Sequence, residues 1–131
     1  MTPGRTWAVR ILTTLILLAF VPSATMKLAR ASAAVEGFAR LGIPEEAIIP
    51  IGILELSCLA LYLFPPTAVV GLLLLTGYLG GATLANIIGR MDFMHALAVG
   101  LLVWTGAWLR VPELQTLIPV RRTAAGVQSR A

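Results

Sequence analysis

Four apolar runs, at about residues 7–26, 46–64, 66–88 and 93–109, constrain this chain more than any other feature. A hydrocarbon core about 30 Å thick takes around 20 helical residues to cross, and each run approaches that length. Pro65-Pro66 breaks the helix between the second and third runs and leaves room only for a tight turn. Gly89-Arg90-Met91-Asp92 makes a similarly short joint between the third and fourth. Helices joined so closely must run antiparallel. The pattern predicts an all-α fold: an integral membrane four-helix bundle, antiparallel, in one domain over residues 1–119. The one long connection, about residues 29–45, contains Gly37, Gly42 and Pro44 among mixed charges and is expected to carry a short interfacial helix near residues 33–41. After Pro112 the chain turns polar and basic, and residues 120–131 are expected to form a disordered tail.

Composition supports the same class. Of 131 residues, 58% are hydrophobic and 12% charged, with a mean hydropathy of +0.89. Soluble domains carry about 25% charged residues, so this chain lacks the polar groups to coat a globule. A pI near 10.2 invites a nucleic-acid partner. Most of the basic residues, however, flank apolar segments (Arg5, Arg10, Lys27, Arg30, Arg90, Arg110, Arg121, Arg122), and they form no stripe interleaved with stacking aromatics. That placement serves membrane anchoring and orientation, with lipid bilayer rather than nucleic acid as the partner. A single cysteine, Cys58, excludes an internal disulfide or a Cys-pair metal motif, and a single histidine, His95, excludes a multi-histidine metal or haem site within one chain. There is no Gly-rich phosphate loop and no Ser-His-Asp set, and no nucleophile is evident for enzymatic catalysis.

Four spans put both termini on one side. That side collects Arg5, Arg10, Arg110, Arg121, Arg122 and Arg130, against Lys27, Arg30, Arg40 and Arg90 opposite. The positive-inside bias therefore favours cytoplasmic termini, in a bacterial inner membrane. A competing reading makes the N-terminus a cleaved signal peptide, with Arg5 and Arg10 preceding an apolar core and Ala29-Arg30-Ala31 as the cleavage site. Trp7 and the extent of the first run favour a retained helix.

Within residues 47–64, Glu55 is the only charged side chain. A carboxylate at the centre of a bilayer helix costs roughly 2.5–3.5 kcal/mol on insertion scales, so it faces a bundle interior, takes a partner, or carries a proton. Gly52, Glu55, Cys58, Leu59 and Tyr62 recur at helical spacing and share one face. The antiparallel order puts the end of the first helix near the start of the second, so Lys27 can reach Glu55 with its long stem. Asn86 falls in the same region and offers an amide. On the third helix Gly77, Gly81 and Ala85 form a small-xxx-small series, expected with Gly52 to serve helix packing. Trp104 and Trp108 read as an interfacial belt. The plain alternative is that Glu55 and Lys27 only lock the bundle, and that Arg90, Asp92 and His95 are a solvated loop cluster.

Ile51-Gly52-Ile53-Leu54-Glu55-Leu56, Tyr62-Leu63-Phe64-Pro65, Leu75-Thr76-Gly77-Tyr78-Leu79-Gly80-Gly81-Ala82 and Trp104-Thr105-Gly106-Ala107-Trp108-Leu109-Arg110 resemble the signatures of the small DoxX-like membrane proteins. Met26-Lys27-Leu28 resembles that family's "GxxKL" end of the first helix, with Thr25 or Ser23 at the glycine position. The resemblance covers about residues 8–119. It implies a four-helix membrane bundle related in name to a membrane subunit of a thiosulfate:quinone oxidoreductase, and it supplies no catalytic residues. Three functions compete. One is an accessory or scaffold subunit that binds a membrane partner or itself. Another is a binder of quinone or a similar lipid-like molecule, with Glu55, Tyr62, Tyr78 and Asn86 at the head group. The last is a proton-linked transporter built on Glu55 and Lys27.

Overall fold

In a computed structural model, which describes residues 2–117, the described residues form six α-helices and no strand. Helix α1 (Pro3–Leu28, 26 residues) begins ahead of the apolar run because Thr2 caps it, its hydroxyl accepting from the Arg5 amide at 3.3 Å, and Pro3 fills the first turn without losing a hydrogen bond. Pro22 lies inside α1, which continues through it. The helix ends in a Schellman turn: the Arg30 amide donates to Lys27 O at 3.1 Å and the Ala31 amide to Met26 O at 2.9 Å, with Arg30 left-handed at φ 52°.

Helix α2 (Ser32–Leu41) stops at Gly42, whose φ of 72° suits a residue without a Cβ. It touches α1, α3 and α4, with Phe38 turned inward. A 3₁₀ turn, Glu45–Ala47, leads into α3 (Ile48–Leu63), where Pro50 falls in the tolerant first turn. A second 3₁₀ turn, Pro65–Thr67, reverses the chain, and Thr67 Oγ1 donates to Leu61 O at 2.8 Å to satisfy a carbonyl at the end of α3. Helices α4 (Ala68–Ile88), α5 (Met94–Arg110) and α6 (Pro112–Leu117) follow. The end of α4 repeats the turn of α1, with Arg90 left-handed at φ 54°.

Helix α1 packs on α3 and α5, α3 on α4, and α4 on α5. Ile16, Phe20, Leu59, Tyr62, Leu72, Leu75 and Val103 form the buried seam. The outward faces are as apolar as the core: Trp7, Leu18, Leu73, Ile88 and Leu101 are all more than half exposed. A surface of this kind is stable against hydrocarbon and not against water. Three stretches, Pro3–Leu28, Glu45–Leu63 and Pro65–Ile88, are long and apolar enough to cross a membrane. Helix α5, with 17 residues, extends about 25 Å at 1.5 Å per residue. The fourth predicted span is therefore present as a helix but shorter than each of those three stretches. The simple count of four also misses α6, a short helix that Pro112 opens at its first position. The predicted tail, residues 120–131, lies outside the described residues.

Glycines fix two close approaches. A Cβ added at Gly71 on α4 would overlap the backbone of Leu61 and Tyr62 on α3. One added at Gly106 on α5 would come within 2.9 Å of the Tyr62 hydroxyl and 3.3 Å of Ile16 Cδ1. These contacts draw α3, α4, α5 and α1 together at the Tyr62 end of the fold.

Candidate functional site

Away from those glycines the helices line a partly open cavity of about 420 Å³. Its polar lining is Ser23 and Lys27 from α1, Glu55 from α3, Tyr78 and Asn86 from α4, and His95 from α5. Ala19, Phe20, Leu79, Ala82, Ala96 and Val99 supply apolar walls, and Phe38 and Leu41 of α2 lie across one end. Glu55 keeps 2% of its side-chain exposure and Lys27 12%. Lys27 Nζ donates to Glu55 Oε2 at 2.8 Å and to Ser23 Oγ at 2.5 Å, and the Ser23 hydroxyl completes the triangle with Oε2 at 3.4 Å. Both donors use Oε2, which leaves Oε1 to other partners. Tyr78 lines the same cavity from α4.

This geometry follows from helix register. Ser23 and Lys27 are four residues apart and share a face of α1. Gly52 lets that face approach α3, since an added Cβ there would meet Lys27 Cβ at 3.1 Å. The ammonium is thereby delivered one turn along α3, to Glu55. Among the described residues every buried side-chain nitrogen or oxygen has a hydrogen-bond partner, as hydrocarbon surroundings demand.

The residues singled out in the sequence separate into two places. Glu55, Lys27, Tyr78 and Asn86 meet at the cavity. Tyr62 does not. Its hydroxyl donates to Val103 O at 2.7 Å in the opposite half of the fold, its carbonyl accepts from Arg110 Nη2 at 2.5 Å, and the Arg110 guanidinium sits 4.5 Å from its ring centre. Arg5 is held beside it, donating through Nε and Nη2 to Leu109 O at 2.9 and 2.6 Å. The small residues divide likewise. Gly52 sits at a helix contact, whereas a Cβ added at Gly77 or Gly81 would meet nothing within 4 Å. Gly77, Gly81 and Ala85 line the cavity. Trp104 links α5 to α4 through an exposed hydrogen bond, its indole N–H donating to Thr76 Oγ1 at 3.0 Å.

Sequence reasoning passed over Ser23, although its spacing from Lys27 was the available signal. It left His95 in a loop cluster, yet His95 is the second residue of α5 and lines the cavity, while Arg90 and Asp92 do not. Among the described residues no group of three or more His, Cys, Asp or Glu side chains is placed to hold a metal ion.

The family model described as the DoxX-like family matches residues 11–109, a stretch that includes Ser23, Lys27, Glu55, Tyr78, Asn86 and His95. No curated protein and no solved structure matches the chain. With that match over most of its length, and with three helices able to cross a bilayer, the chain is a transmembrane protein that belongs to the DoxX-like family.

Proposed function

We propose that this protein is a non-catalytic accessory subunit of the membrane whose cavity holds a lipid-like molecule with an uncharged, carbonyl-bearing head, a quinone being the leading candidate. In this reading the chain crosses a bacterial inner membrane four times, antiparallel, with both termini cytoplasmic. The observation that carries the reading is the lining of the cavity: a compact polar group around Glu55 inside walls that are otherwise apolar. Sites for small amphiphiles have this make-up, a few converging polar groups in an apolar cleft. The charges of Lys27 and Glu55 cancel across 2.8 Å. A charged head would enter low-dielectric surroundings with no net counter-charge to meet it, and a neutral one avoids that cost. The Lys27 ammonium, the Tyr78 phenol and the Asn86 amide are donors suited to carbonyl oxygens. Electron transfer through such a molecule would need a partner protein, since no side chain here carries electrons.

The test is saturable binding of decylubiquinone to the protein in nanodiscs, read as quinone retained per protein. Wild type is expected to saturate near one equivalent at most, and Glu55→Leu paired with Lys27→Met to lose retention. Absence of saturable binding by wild type would overturn the reading.

A second reading, a pure scaffold, draws on the same ion pair, which joins α1 to α3 and is internally satisfied. It predicts a partner or a second copy that co-purifies from native membranes, and no retained quinone. Proton-linked transport has less support, because α1, α3, α4 and α5 run unbroken past the polar cluster.

A further inference from the structure

The cavity is partly open, and where it opens bears on what kind of molecule it takes. On the side of α2, Phe38 and Leu41 cover it, and Leu41 Cδ2 lies 2.8 Å from where a Cβ on Gly89 would be. Three of the lining residues on α3 and α4 are themselves exposed. Leu54 lines the cavity and is 52% exposed, and Gly77 and Gly81 line it and are exposed as well. The two helices are clamped where Gly71 meets Leu61 and Tyr62, and the glycines at 77 and 81 leave open space farther along. Gly77 is the tenth residue of α4, so the gap lies about 14 Å along a helix able to cross a membrane, at hydrocarbon depth.

We infer that the molecule held beside Glu55 carries a long apolar chain, and that this chain leaves the cavity sideways into the bilayer through the gap between Leu54 and the Gly77–Gly81 edge. The inference rests on the amphiphile-binding reading above and adds the shape of the ligand and its route. A side chain at position 77 or 81 would occupy the gap, and glycine at both keeps it clear. The polar end of the cavity, at Glu55, Lys27 and Tyr78, then reads the head, while the gap requires of the tail only that it be thin and apolar. Lateral entry also fits a ligand that partitions into lipid and reaches the site without crossing water.

Two probes with one head group test this: decylubiquinone, which has a tail, and ubiquinone-0, which has none. The variants are Gly77→Leu and Gly81→Leu, which face open space, and Leu54→Trp, which narrows the gap from α3. Narrowing the gap is expected to weaken decylubiquinone binding by about tenfold or more, a change of 1.4 kcal/mol or greater, and to leave ubiquinone-0 within about twofold of wild type. If all three variants bind decylubiquinone as wild type does, the lateral route is wrong while the cavity reading stands. Equal loss of both probes would also overturn the route, since it would mean that these positions shape the head site. Failure of wild type to bind either probe would remove the cavity reading itself, and the route with it.

Discussion

Lys27 and Glu55 form a buried ion pair at 2.8 Å, and Ser23, one turn before Lys27, bonds to both. The pair ties the end of α1 to the first half of α3 and sets the polar end of the cavity. Removing one partner of a buried pair leaves an uncompensated charge, at a cost of about 3–5 kcal/mol, whereas replacing both with apolar groups is often neutral. Lys27→Met and Glu55→Leu are each expected to lower thermal stability in detergent sharply, and the double variant to recover most of the loss. A double-mutant cycle on unfolding midpoints checks this, and additive losses would show that the two side chains do not act as a pair.

Gly71 and Gly80 lie on the same helix and make opposite predictions. At Gly71 an added Cβ overlaps the backbone of α3, which cannot yield without moving a whole helix, while at Gly80 it meets nothing within 4 Å. Gly71→Ala should cost at least about 1–3 kcal/mol through overpacking, or prevent folding. Gly80→Ala should be neutral or gain up to about 1 kcal/mol from helix propensity. Melting by circular dichroism in detergent compares them directly.

Tyr62→Phe should be a mild structural variant with no effect on the cavity. It removes one hydrogen bond, to Val103 O, worth about 1 kcal/mol. Loss of quinone retention in Tyr62→Phe, at unchanged stability, would mean that the two halves of the fold are functionally coupled in a way the geometry does not provide.

Topology is checked by placing single cysteines in a chain whose Cys58 is replaced by alanine. With four spans and cytoplasmic termini, Asp92→Cys and Glu46→Cys should react with a membrane-impermeant maleimide in intact cells. Thr2→Cys should react only after permeabilisation. Glu113→Cys, beyond α5, should likewise react only after permeabilisation; its labelling in intact cells, with Thr2→Cys still protected, would mean that α5, with its 17 residues, does not cross.

Much of this was legible in the sequence, because lone polar residues in apolar runs have few places to go. Glu55 and Lys27 are matched by depth alone, and Gly52 by its register with Glu55. The proline signals bounded the reversal between α3 and α4. Other features depend on which way a helix is rotated, and apolar runs without a polar face carry almost no rotational signal. Gly77 and Gly81 are spaced like a packing motif, yet they border open space, whereas Gly71, outside any such pattern, makes the closest contact. Tyr62 shares a face with Glu55 but lies two turns farther along, beyond the floor of the cavity, where Val103 and Arg110 claim its polar atoms. Pro112 shows a different ambiguity: proline opens helices as readily as it closes them.

The most direct test of the account is native mass spectrometry of the protein released from its own membranes, beside an Ala82→Phe variant that fills the cavity from α4. The wild type is expected to carry a bound amphiphile of defined mass that survives mild activation, and the variant to have lost it while remaining folded. A bare wild-type spectrum, or the same adduct on both proteins, would contradict the claim that the cavity beside Glu55 is a binding site.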